Sequence, residues 1–176
     1  MKSNLTFFRY FAYLLEIILL CVLQSTPNLF PELFGSKPLL LVPLALAIAS
    51  KEDKIPSLIF GAVCGLMTDL ASGGAVGFFA ILLTLVCYAE SHIFSTYLAS
   101  NLATTMIVSV IAIPVLICLY FLVFKVFAGI PEVSVLFVNH YISRIVYTLV
   151  TVIPIYFVNA FLYKSLRCDT SHNSRR

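Results

Sequence analysis

No tryptophan occurs in this sequence, and acidic and basic side chains together make up only 11% of its 176 residues. So little charge cannot cover a water-facing surface, and a hydrophobic share of 61% with a mean hydropathy of +1.03 places the chain in a lipid bilayer. Without tryptophan, the aromatic belts at headgroup level fall to the tyrosines, and Tyr10, Tyr13, Tyr97, Tyr120, Tyr141 and Tyr163 lie near segment ends. Any Cys-x-x-Cys pair is also missing. Of the five cysteines, Cys21, Cys64, Cys87 and Cys118 sit in apolar runs and Cys168 in the tail, so neither a disulfide framework nor a zinc site is expected. His92, His140 and His172 fall in separate regions without metal-ligand spacing. No Gly-x-Ser-x-Gly elbow and no Gly-x-x-x-x-Gly-Lys loop is present. These absences argue against an enzyme, a bound metal or another cofactor. The net charge of +3 comes mostly from Lys164, Arg167, Arg175 and Arg176, which suits a cytoplasmic membrane surface and not nucleic acid.

What is present is a series of apolar runs. The first follows Lys2 and leads into "TPNLFPELF" without a small-x-small cleavage site, so it reads as a retained helix and not a signal peptide. A helix needs about 20 apolar residues to cross the hydrocarbon core. On that basis six transmembrane segments are expected, over residues 5–26, 36–50, 55–72, 76–92, 100–128 and 141–165. They form one all-α membrane domain over 1–167, followed by a short polar tail over 168–176. The second segment is short and carries Pro38 and Pro43, so it is tilted, broken or packed within the bundle. Pro114 should kink the fifth, and "PEVSVLFVNH" over 131–140 is too short to cross and should lie at the interface. With both termini cytoplasmic, Lys2, Arg9, Lys51, Lys54, Lys164, Arg167, Arg175 and Arg176 lie inside and Lys37, Lys125 and Arg144 outside, the arrangement that the positive-inside rule favours.

One carboxylate interrupts the run "GAVCGLMTDLASGGAVG" over 61–77. Gly61, Gly65 and Asp69 recur every four residues and stack on one helix face, where glycine lets a neighbouring backbone approach. Gly73, Gly74 and Gly77 make a turn whose N–H groups can hold Asp69 as a cap; a ligand or proton-relay role is the alternative. Deeper in the chain, Glu16 stands in the middle of the first helix, two turns from Arg9. A polar contact to another helix or to a partner protein is one reading of Glu16, and a transport site is another. Glu90 and His92 point to different faces of the fourth helix and read as surface or interfacial side chains.

The 61–77 run, continued by "FFAILLTLVCYAE", resembles the signature of the MreD family of bacterial rod-shape membrane proteins. Gln24 and Pro27 at the end of the first helix, "KPLLLVPLALAIA", "GIPEV" and Pro154 fit the same layout, over about residues 5 to 165. The resemblance implies a non-catalytic scaffold in the inner membrane that supports lateral peptidoglycan synthesis. It also implies partners: MreC above all, then MreB, RodA and a class B penicillin-binding protein, with membrane lipid around them. The family resembles in fold the S components of energy-coupling-factor transporters, so a small-molecule binding subunit is the second expectation. An S component is expected to carry an Ala-x-x-x-Ala face on its first helix, where this chain has Ala12 alone.

Overall fold

The computed structural model describes residues 2–26, 38–72, 77–96, 101–126 and 141–172, and every regular element among them is helical. In chain order these are α1 (Lys2–Ser25), α2 (Leu41–Ala49), α3 (Lys54–Ser72), α4 (Phe78–Thr96), α5 (Leu102–Phe121) and α6 (Ser143–His172), with a π-helical turn, Leu122–Val126, extending α5. Five of them are long and apolar enough to cross a membrane: Thr6–Ser25, Lys54–Ser72, Phe78–Thr96, Leu102–Phe124 and Ser143–Lys164. The expected sixth crossing helix, over 36–50, is replaced by a nine-residue helix too short to span. Helix α6 also runs past the expected end of its segment, reaching into the polar tail as far as His172. The interfacial segment expected over 131–140, the turn glycines Gly73 and Gly74, Tyr97 and the side chain of Lys125 lie outside the described residues.

Helix α2 is short because it is the core. Every residue from Leu39 to Ala49 apart from Pro43 has a side chain no more than 3% exposed, and the helix touches all five others. Its composition, leucine, alanine, valine and isoleucine without one charge, suits a position packed on every side. Pro43 does not break it: in the first turn the missing N–H would have had no intrahelical acceptor. A helix end inside a membrane bundle must find its hydrogen bonds from the protein. At the start of α2 they come from two flanking helices. Gln24 Oε1 accepts the N–H groups of Leu40 at 2.8 Å and Leu41 at 3.4 Å, and Thr148 Oγ1 accepts that of Leu39 at 3.2 Å. At the other end the N–H groups of Ser50 and Glu52 return to the Leu46 and Ile48 carbonyls, each at 3.0 Å.

The outer surface is apolar where lipid meets it. Phe7, Phe8, Phe11, Ile18 and Val22 make one exposed stripe along α1, and comparable stripes run along α4, α5 and α6. Tyr13, expected in the headgroup belt, is fully buried instead, edge-on to Phe60 with ring centroids 5.5 Å apart.

Contacts at one end tie the two termini together. The Arg9 guanidinium lies 5.5 Å from the centre of the Tyr163 ring, and Lys51 Nζ lies 4.4 Å from that of Tyr156. The start of α1, the α2–α3 connection and the last turns of α6 therefore share an end of the bundle. Reporters fused after Arg176 and within residues 51–54 are expected to report the same compartment as each other. Opposite signals from the two fusions would contradict this packing.

Candidate functional site: polar contacts inside the bundle

Lipid offers polar side chains no hydrogen bonds, so those inside the bundle find one another or stay unpaired. Three groups of contacts result.

The first lies where α3 turns into α4. Asp69 is 2% exposed, and both its oxygens face the first turn of α4. Oδ2 accepts the N–H groups of Gly77 at 2.8 Å and Ala80 at 3.2 Å, and Oδ1 accepts that of Phe79 at 3.1 Å. An anion against the free N–H groups of a helix start is favourable on hydrogen-bonding and dipole grounds. Asp69 thus caps α4 from the preceding helix. Gly77 has φ of +104°, a backbone conformation that a side chain would strain. Below the cap, the glycine face of α3 meets α4 directly. A Cβ on Gly65 would stand 2.6 Å from the Phe79 carbonyl oxygen and 2.7 Å from the Ala80 nitrogen; one on Gly61 would stand 3.0 Å from Cys87 Cβ. The every-fourth spacing builds a helical hairpin. Because Asp69 uses both oxygens, Asn at this position keeps part of the set and Ala keeps none. Folded yield and thermal stability in detergent should fall in the order Asp, Asn, Ala, with Ala about 0.5 to 2 kcal/mol below wild type. Equal loss in Asn and Ala would show that the charge, and not the cap, is what the position requires.

The second group lies at the end shared by the termini. Arg9 Nη2 donates to Glu52 Oε2 at 2.9 Å, and its Nε lies 2.8 Å from Oε1 as an ion-pair contact without hydrogen-bond alignment. Tyr13 donates its hydroxyl to Oε1 at 3.1 Å. The backbone carbonyl of Glu52 accepts the hydroxyls of Ser91 at 2.8 Å and Ser57 at 3.2 Å, so α1, α3 and α4 converge on one loop residue. Burial raises the pKa of Glu52, and the Arg9 charge pulls it back. Burial likewise lowers that of Lys51, which rests against Tyr156. The run "SKEDK" reads as a solvated loop, and nothing in it marks Glu52 as buried.

The third group is dispersed along the spans. Glu16 Oε1 accepts a hydrogen bond from Asn159 Nδ2 at 3.0 Å, so this carboxyl meets another helix, while Arg9 is committed to Glu52. Glu90 corrects the surface reading: it is 2% exposed, whereas His92 on the next face is exposed. The sequence does hold a signal for it, because Ala80, Leu83, Cys87, Glu90 and Phe94 fall on one side of α4 at helical spacing. Gln24, noted for its place at the end of α1, holds the start of α2. Among the described residues, no three side chains of histidine, cysteine, aspartate or glutamate converge as metal ligands.

Compared with protein-family models, with curated proteins and with solved structures, the chain matches none of them.

Proposed function

We propose that this protein is a non-catalytic scaffold of the MreD kind in the bacterial inner membrane, with MreC as its main partner and with MreB, RodA and a class B penicillin-binding protein in the same assembly. The resemblance of residues 61–77 supports the family. One structural observation favours a scaffold over a small-molecule binding subunit: α2 fills the axis of the bundle. A ligand site among helices needs a cavity with a few convergent polar groups. Here that volume holds Leu41, Leu44, Leu46 and Ile48, all fully buried. Asp69, the most conspicuous polar residue of the motif, spends its oxygens on the fold. What remains for partners is the outer surface, whose exposed helical faces suit packing against other membrane helices.

The test is recovery of the tagged protein from its native membrane in mild detergent, followed by mass spectrometry of what comes with it. Recovery of MreC-like or RodA-like proteins is expected. Recovery of a transporter's ATPase subunits instead would replace the scaffold with the S-component reading.

A further inference from the structure

Helices α4 and α5 are joined through residues 97–101 and run antiparallel, and ring contacts of Phe78 and Phe79 with Tyr120 and Phe124 set their register. The ring of Phe79 stacks on that of Tyr120, with centroids 5.1 Å apart and planes 21° from parallel. Eleven residues make about three helical turns, so the same step down each helix ends on the same two facing sides. From Phe79 it reaches Glu90, and from Tyr120 it reaches Ser109. Thr105 lies one further turn along that side of α5. Phe121, about 100° round from Tyr120, instead meets Tyr141 of the π turn leading into α6, at 4.7 Å, so Ser109 and Thr105 belong to the face turned toward α4.

These three side chains share an unusual condition. Glu90 is 2% exposed and Thr105 and Ser109 are fully buried, yet neither carboxyl oxygen of Glu90, nor Thr105 Oγ1, nor Ser109 Oγ has a hydrogen-bond partner. Buried polar groups are nearly always paired, and an isolated carboxylate in a membrane interior is among the costliest groups to leave alone. Among the described residues no cationic side chain pairs with it. Of the charged groups at this end of the bundle, Arg9 of α1 is committed to Glu52, and Lys51, after α2, lies against Tyr156. The titratable group nearest it is Cys87, one turn back on α4, which in turn lies against Cys64 of α3; Ser91, next to it on α4, has its hydroxyl spent on the Glu52 carbonyl.

We propose that Glu90, Ser109 and Thr105 form a buried site for a small monovalent cation, a proton or a sodium ion, between α4 and α5. All the candidate ligand atoms are oxygens, which suits a hard cation, and none of them hydrogen-bonds another, so the cation itself has to join them: sodium by taking their lone pairs, or a proton by making the carboxyl a donor that a hydroxyl accepts after a side-chain rotation. One negative charge calls for one positive charge. A divalent ion would leave an excess charge in a low-dielectric setting.

Partner recovery does not bear on this site, and its test is chemical. The purified full chain in mild detergent is treated with dicyclohexylcarbodiimide, an apolar reagent that attacks carboxylic acids. The acid proton moves to a carbodiimide nitrogen, the carboxylate oxygen adds to the central carbon, and the adduct rearranges to a stable N-acylurea that peptide mass spectrometry locates. Labelling at Glu90 is expected, falling as pH rises. If sodium is the ligand, it also falls as sodium replaces choline at constant pH and ionic strength; if the proton alone binds, this exchange changes nothing. A Thr105→Ala, Ser109→Ala double variant should shift the midpoint of suppression by threefold or more in proton or sodium concentration. Absence of label on Glu90 at every pH, label indifferent to both pH and sodium, or an unmoved midpoint in the double variant would each overturn the site. Because the label is located on the wild-type protein, the first two outcomes stand even where a variant folds poorly.

Discussion

Gly65→Leu is expected to leave little folded protein. A Cβ at this position already meets the backbone of Phe79 and Ala80, and a helix backbone cannot rotate aside as a side chain can. The leucine would have to push α4 off α3 along their whole contact, and with it the cap that Asp69 places on α4. Overpacking a well-filled core costs about 1 to 3 kcal/mol, and more where backbone must move. Gly61 is less constrained, since its nearest obstacle is the Cys87 side chain and the Leu83 carbonyl stands at 3.2 Å. Fluorescence-detected size exclusion and thermal unfolding in detergent should rank the proteins wild type, Gly61→Ala, Gly65→Ala, Gly65→Leu. A Gly65→Leu protein as stable as wild type would mean that this face of α3 meets lipid.

Arg9→Leu comes second. It keeps α1 apolar and helical but removes the counter-ion of Glu52, whose side chain is only 4% exposed. Breaking a buried pair from one side costs about 3 to 5 kcal/mol, because the remaining charge has no partner, whereas removing both charges costs far less. The double variant Arg9→Leu, Glu52→Gln should therefore recover much of the loss, with Tyr13 still able to donate to the amide oxygen. The pH dependence has a definite sign. Burial raises the Glu52 pKa, and without Arg9 the chief influence lowering it is gone, leaving the Tyr13 hydrogen bond alone to oppose burial and the Asp53 charge. The folded state then holds a proton at pH values where the unfolded chain has released it, so stability falls as pH rises through the native pKa. The single variant should lose most at alkaline pH and recover in acid, while the double variant shows no such slope. Thermal midpoints of the three proteins across pH check this. A single variant whose deficit does not change with pH would remove Glu52 as the titrating group.

The interpretation of the polar residues depends on where they lie relative to the packed faces, and the sequence showed this unevenly. Gly61, Gly65 and Asp69 were legible as one face because a helix imposes its period on residues four apart. Glu16 was legible as a group in need of a partner, because its depth in an apolar run is visible in one dimension. The identity of that partner, Asn159, was not, since it comes from the other end of the chain. Glu52 was misleading: charged neighbours on both sides give it the appearance of a solvated loop, although α1 and α4 close over it.

By itself the sequence determined the solvent, the class and the places of the five long helices, but it counted a sixth crossing helix over 36–50 that the structure does not have. A bilayer demands about 20 apolar residues per crossing and forbids unpaired backbone, and both demands act within one segment. Only the tertiary structure decided that the proline-led stretch after residue 38 is a buried core helix, that Arg9 serves Glu52 and not Glu16, and that Glu90 points inward. Hydropathy tells whether a segment avoids water; it does not distinguish lipid from protein as the apolar surroundings. That distinction is made only when the faces of different helices meet.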